Sequence, residues 1–250
     1  MYIYKMSTPQ IVKAKELNVK NITYSEPKSL QTGAKAVYVN YEGKPLIVQT
    51  PKMRCPFGMN VYEDGEYPKY SLPLSFSGMD GNEKLSTFHG VLEEFDKKLL
   101  KDGVKNSMLW FKKKKQSLEV CKALFSPQIK QSVDENGEPN GKYPDTIKVK
   151  LPWKEDKFLC DAYDSNKELI TSDLKKCLTK GSHVQALIQC VGLWFAGGKY
   201  GCSWKVVQMK VTPAAGVSGY SFLSDSDDDE VDEVDEVDEE QELLVESDED

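Results

Sequence analysis

The chain is poor in the residues on which catalysis most often rests. Its 250 residues include two histidines, His89 and His183, and a single arginine, Arg54. There is no Gly-x-Ser-x-Gly, no phosphate-loop motif and no His-Glu-x-x-His. The carboxylates before residue 224 are scattered among lysines. An enzyme is not expected, and neither is a cofactor. The six cysteines are Cys55, Cys121, Cys160, Cys177, Cys190 and Cys202, and no two have the Cys-x-x-Cys spacing of zinc knuckles and ribbons. No metal site is expected, and the cysteines read as buried thiols of a reducing compartment. Long apolar runs are missing too. The most apolar stretch, 190–196, falls far short of the roughly 20 residues that cross a bilayer. Residues 1–5 lack the apolar run of a secretory leader. These absences point to a soluble intracellular protein with no membrane partner.

What the chain has is charge, unevenly distributed. Residues 225–250 hold 9 Asp and 8 Glu and no Lys or Arg. Taking those 17 from the 40 acids leaves 23 in residues 1–224, against 33 basic residues. The body therefore carries +10 and the end −17, although the whole sums to −7. Such a split marks a polyanion-binding body with an acidic tail. Residues 231–239 repeat Val-Asp-Glu three times. Charge this dense does not pack, so residues 224–250 are expected to be a disordered polyanion. Tethered to a cationic groove, it would compete there at high effective concentration. Displaced by nucleic acid, it would be free to dock replication or repair proteins. Ser224, Ser226 and Ser247 each precede an acid by three residues, a context for phosphorylation that would deepen the charge.

Periodicity separates strands from helices. Residues 36–41 and 45–50, joined at Glu42-Gly43-Lys44, read as a hairpin. Residues 69–77, with Pro68 and Pro73, read as an edge strand. Leu85, Phe88, Val91, Leu92, Phe95 and Leu99 recur three or four apart, which predicts an amphipathic helix over 84–101 ended by Asp102-Gly103. A second helical piece covers 117–124. Residues 146–153 alternate, with Ile147, Val149, Leu151 and Trp153 on one side and Lys148 and Lys150 on the other; 156–163 is the expected partner. A short polar helix is expected within 167–180. Residues 183–195 and 202–211 are strong strands around a glycine-rich turn. The order predicts a mainly β (or α+β) fold: an OB-like antiparallel barrel over 31–213 with a helical insertion at about 84–125. An N-terminal extension would occupy 1–30 and a linker and tail 214–250.

The binding signal lies in that last hairpin. Trp194, Phe195, Tyr200 and Trp204 surround its turn, with Lys199, Lys205 and Lys210 interleaved. Aromatic platforms in a cationic groove suit unpaired strands, since every base has a face to stack. Aromatic residues in strands are mostly core, however, and at least Trp194 or Trp204 should be buried. Lys148 and Lys150 add a basic strand face. Lys112, Lys113, Lys114 and Lys115 follow Trp110-Phe111 and read either as a phosphate-contacting patch or as a solvated segment. Lysine in place of arginine favours backbone binding over base reading.

The stretch Val-Gly-Leu-Trp-Phe-Ala-Gly-Gly-Lys-Tyr-Gly-Cys-Ser-Trp-Lys-Val-Val-Gln-Met-Lys-Val (191–211) resembles the C-terminal hairpin of a single-stranded DNA-binding family of nucleocytoplasmic large DNA viruses. One branch of that family, from African swine fever virus, has an OB-fold. The plan is also similar to acidic-tailed phage single-stranded DNA-binding proteins. The resemblance spans about residues 30–212 and nominates Trp194, Phe195, Lys199, Tyr200, Trp204 and Lys205. It implies sequence-nonspecific binding of single-stranded DNA, with RNA as the alternative, in viral replication, recombination or repair. The setting would be the host cytoplasm or nucleus, or the virion, and a homo-oligomer is compatible with the sequence. The phage proteins usually end in an aromatic residue, whereas this chain ends Ser-Asp-Glu-Asp. The rival readings are an acidic-tailed chaperone or scaffold for basic proteins, and a virion structural protein.

Overall fold

Two strands of 14 residues each, His183–Ala196 and Lys199–Thr212, carry the architecture. They pair antiparallel through a two-residue turn, Gly197-Gly198, in which both residues have positive φ. This is a computed structural model, and it describes residues 10–29, 35–63, 65, 67–171 and 173–214. The acidic segment 224–250 lies outside the described residues.

Around the long hairpin the sheet closes on itself. His183–Ala196 pairs with Met53–Arg54, which pairs with Lys69–Ser75. Lys69–Ser75 pairs with Thr146–Leu151, and that strand pairs with Lys199–Thr212. The result is a mainly β, OB-like barrel. Its interior is filled by residues of one parity: Leu72, Leu74, Ile147, Val149, Ile188, Trp204 and Val206, all buried. The helical insertion sits between Lys69–Ser75 and Thr146–Leu151. Among the described residues no helix is long and apolar enough to cross a membrane.

Helix α1, Glu83–Lys105, begins at Asn82, whose side chain accepts from the amides of Lys84 and Leu85. It buries Leu85, Phe88, Leu92, Phe95 and Leu99, the stripe expected from the spacing. It does not stop at Asp102-Gly103. Asp102 is buried and accepts from Tyr24 Oη at 2.8 Å and Lys98 Nζ at 2.7 Å. A Cβ on Gly103 would lie 2.7 Å from Tyr200 Oη. The glycine is there for the close approach of helix and hairpin, not for a cap. Two short helices follow, α2 (Ser107–Phe111) and α3 (Leu118–Leu124), the latter capped by Ser117.

Other expectations are corrected by the pairing. Lys69–Ser75 is not an edge strand. It has Thr146–Leu151 on one side, and Asn60–Tyr62 and Met53–Arg54 on the other. The second side pairs only through residues 69–71 and 75, so Pro73 falls in the gap, where a missing N–H costs nothing. The partner expected at 156–163 divides in two. Lys157–Phe158 forms a small hairpin with Trp153–Lys154, while Asp161–Tyr163 runs parallel to Lys199–Thr212. The hairpin around Glu42-Gly43 is present, but the chain on each side of it divides between sheets. Among the described residues of 167–180 the helix is Leu174–Cys177. Residues 11–29 are woven in rather than appended: Ile11–Lys13 pairs parallel with Ile47–Gln49, and Ile22–Tyr24 pairs with Val39–Tyr41.

Candidate nucleic-acid interface

Residues opposite one another on neighbouring strands point to the same face. The barrel's outer surface can therefore be read directly from the register. One row runs Asn60–Ser71–Lys150–Lys205–Gln189 across five strand segments. A second pairs Pro73 with Lys148, and a third pairs Tyr62 with Lys69. Further along the long hairpin, Gln49–Leu187–Gln208–Asp161 and Gln185–Lys210–Tyr163 continue the same surface. At strand spacings of about 4.8 Å, the step from Asn60 to Gln189 spans roughly 19 Å. Lys148, Lys150, Lys205 and Lys210, named from sequence, thus share one face. Asp161 is the one carboxylate in these rows, and among the described residues no ion pair involves any of the four lysines or Lys69.

The lysines feel one another. Burial lowers the pKa of Lys150, and the charges of Lys148 and Lys69 lower it further. Lys130, with its side-chain ammonium on Ser126 Oγ, is likewise lowered by burial, and then by Lys199 and Lys148. A face with this excess of cations attracts an anion. Aromatic rings border it. Tyr62 is 45% exposed, and Lys148 Nζ lies 4.2 Å from its ring centroid and 2.8 Å from its hydroxyl. Tyr67 is 69% exposed. Trp153, half-buried against Tyr70 and Phe158, closes the same end. A groove of about 560 Å³ opens between these rings, lined also by Lys69, Ser71 and Lys150. A second groove of about 500 Å³ lies at the other end, lined by Tyr163, Lys167, Gln185, Gln208 and Lys210.

The four aromatics nominated from sequence separate. Trp204 (2% exposed) and Tyr200 (0%) are core and cannot stack on a base. Trp204 packs edge-on to Phe95 of α1 and donates its indole N–H to Gln128 Oε1. Gln128 in turn donates to Asp96, whose carboxyl is pushed up to about 6, chiefly by burial. Trp194 is half-buried and faces outward, lying against Gly201: a Cβ there would be 2.8 Å from its Cζ2. It belongs to the lysine face, since Gly201, Ser203 and Lys205 alternate on that side. Phe195 turns the other way, into a cluster with Trp110, Phe111 and Tyr200 at the hairpin tip.

Lys112, Lys113, Lys114 and Lys115 are exposed, but they follow α2 and are not in the rows of the lysine face. Lys112 lies close enough to Lys35 to lower its pKa, after burial, and Lys35 donates to the carbonyls of Leu109 and Trp110. Lys199 stands at the turn and reaches the face electrostatically through Lys130. Sequence reading missed Tyr62, Tyr67, Lys69 and Ser71. The cue was the run of tyrosines and Lys69 just before a strand that proves central. Cys55, Cys121, Cys160, Cys190 and Cys202 are free thiols, and among the described residues no three His, Cys, Asp or Glu side chains gather as a metal ion would need.

Residues 80–223, more than half of the chain, match the model of a family of unknown function (DUF5871). A curated relative, "Uncharacterized protein L291" of Acanthamoeba polyphaga mimivirus, is 25% identical over 169 residues, 66% of this chain and 26% of that protein. The chain spans about a quarter of that relative's length. Among solved structures, the single-stranded DNA-binding protein of bacteriophage Enc34 in complex with ssDNA aligns at TM-score 0.42 and 14% identity, over 78% of this chain and 94% of that one. Gp2.5, a single-stranded DNA-binding protein encoded by bacteriophage T7, aligns at TM-score 0.43 and 9% identity, over 72% and 98%.

Proposed function

For a chain that belongs to the family of unknown function DUF5871, we propose sequence-nonspecific binding of single-stranded DNA on the outer face of the barrel. The reading is supported above all by the row of lysines in cross-strand register, Lys150 beside Lys205 with Lys148 and Lys69 flanking, none of them ion-paired among the described residues, and bordered by exposed rings. Lysine ammoniums neutralise phosphates and release counterions, and Tyr62, Tyr67 and Trp194 offer stacking surfaces to bases. With one arginine in the chain, bidentate base reading is not the design.

The acidic residues 225–250 enter this proposal through charge alone. A −17 segment tethered to a +10 body competes with DNA for the lysine face and, once displaced, is available to protein partners. We place the activity in replication, recombination or repair of a large viral genome, in the host cytoplasm or nucleus. Kinship with the African swine fever virus branch is part of the same proposal.

The test is fluorescence anisotropy with labelled oligothymidylate, on the full chain and on a chain ending at residue 223. Binding that weakens with salt and tightens on truncation is expected. A body that binds no oligomer at low salt would reject the proposal. It would leave the acidic segment as the working part of a chaperone or scaffold for basic proteins.

A further inference from the structure

The cationic surface continues past Lys210. The groove that holds Tyr163 shares Gln185 and Lys210 with a smaller one of about 220 Å³, lined also by Lys52 and Thr212. That one shares Lys52 with a third, of about 410 Å³, in which Arg54, His183, Ser77 and Asn82 meet. Grooves that share lining residues adjoin, so the three make one track around the barrel. The register gives its course. Lys210 pairs with Gln185, His183 lies two residues further along the same strand, and His183 pairs with Arg54, the single arginine of the chain. Lys210 and Arg54 are thus two strand spacings and two residues apart, roughly 12 Å. Lys52 belongs to both smaller grooves and stands between them, and it and Arg54 are exposed.

We propose that the third groove is a phosphate site: Arg54, with Lys52 and His183, takes a phosphodiester of the strand where it leaves the Tyr163 groove, and so turns the strand around the barrel. The inference rests on the single-strand reading above. Its ground is the set of donors that converge there. A guanidinium presents five N–H groups in a fixed fork that matches two oxygens of one phosphate. Lys52 adds a point charge, and His183 offers a ring N–H. Asn82 has its carboxamide oxygen on the amides of Lys84 and Leu85, so what it has left for a ligand is its NH2. Those two amides are thereby taken, and the pull on an anion comes from the side chains rather than from the start of α1. A bidentate contact fixes the direction of a phosphate as an ammonium does not. The one arginine among the lysines therefore stands where a bound strand has to change direction.

The experiment measures affinity for oligothymidylates of about 6 and about 16 nucleotides, lengths within the range that one such barrel covers, by anisotropy on the full chain at low salt. The short oligomer is held by the lysine face and its rings, so Arg54→Ala should change its Kd by less than about twofold. The long oligomer reaches the bend. There Arg54→Ala should weaken binding about tenfold and take about 0.7 from the slope of log K against log salt, over and above what the face contributes. Arg54→Lys should restore the slope, because the charge returns, but only part of the affinity, because the fork does not. Lys52→Ala, at a second exposed residue, should weaken the long oligomer about threefold and spare the short one. Long-oligomer binding untouched by either alanine variant, or an equal loss on the short and the long, would overturn the inference while leaving single-strand binding on the lysine face standing. Binding of neither oligomer by the wild type would overturn the single-strand reading itself, and this inference with it.

Discussion

Replacing Lys148 and Lys150 together by alanine should flatten the salt dependence of binding by a calculable amount. Five lysines, Lys69, Lys148, Lys150, Lys205 and Lys210, lie on the outer face of the barrel. If each neutralises one phosphate, log K falls against log salt with a slope of about −3.5, at about −0.7 per phosphate for a single strand. Between 50 and 200 mM salt the affinity then drops about 100-fold. Without Lys148 and Lys150 the slope becomes about −2, and the same interval costs about 20-fold. Both side chains leave the strand on its solvent face and neither is ion-paired among the described residues, so the fold should survive. Anisotropy with oligothymidylate across a salt series gives the slope directly. Lys113→Ala/Lys114→Ala removes equal charge away from the face and should leave the slope unchanged. An unaltered slope in the face variant, or an equal reduction in the control, would refute the assignment of the interface.

Gly103→Ala should destabilise the protein by about 1 kcal/mol in urea unfolding. Helix propensity alone favours alanine by about 1 kcal/mol, but the new Cβ would press on the buried Tyr200 hydroxyl, and overpacking of that kind costs about 1–3 kcal/mol. A gain in stability would reject the close approach. Trp204→Phe should lose about 1–3 kcal/mol of stability by leaving Gln128 Oε1 without its donor, with DNA affinity unchanged. Trp194→Ala should do the converse, weakening binding with little loss of stability; the two are separated by measuring Kd and urea midpoints side by side. Asp96, held near pKa 6 in the fold against about 4 when unfolded, binds more protons folded than unfolded between those values. Its contribution to stability is therefore greatest below about pH 4 and declines by about 2–3 kcal/mol as pH rises past 6. Asp96→Asn should remove that slope from a pH series of unfolding free energies.

Some of this was legible without coordinates. The charge split between body and end is a matter of counting. The buried stripe of α1 follows from the 3.6-residue period, because Leu85, Phe88, Leu92, Phe95 and Leu99 can share a face in no other regular structure. The long hairpin follows from two β-rich runs and a Gly-Gly turn. Alternation over 146–153 set Lys148 and Lys150 against Ile147, Val149 and Leu151, which are buried, but the strand ends at Leu151 and Trp153 stands half-buried in the next one.

What the chain alone could not decide was phase. Lys205 and Lys210 are five apart, and in a regular strand they would face opposite ways. Val207 is an extra residue between the pairs Ile188–Val206 and Leu187–Gln208, and this bulge brings both lysines to the outer face. Val191 is a second extra residue on the partner strand, and it turns Trp194 outward when the run from Val184 to Cys190 would have carried it inward. Gly192 follows, where any Cβ would lie 2.4 Å from the Val37 carbonyl. A bulge is a property of two strands in register, so no single run of residues announces it. The same is true of Ser71, Tyr62 and Tyr67. They became a site only when Asn60–Tyr62, Lys69–Ser75 and Thr146–Leu151 paired side by side and placed them against the lysines. The composition of this protein determined that it would carry a cationic body and a polyanionic end. The register of its barrel decided which lysines and which rings stand together on the surface.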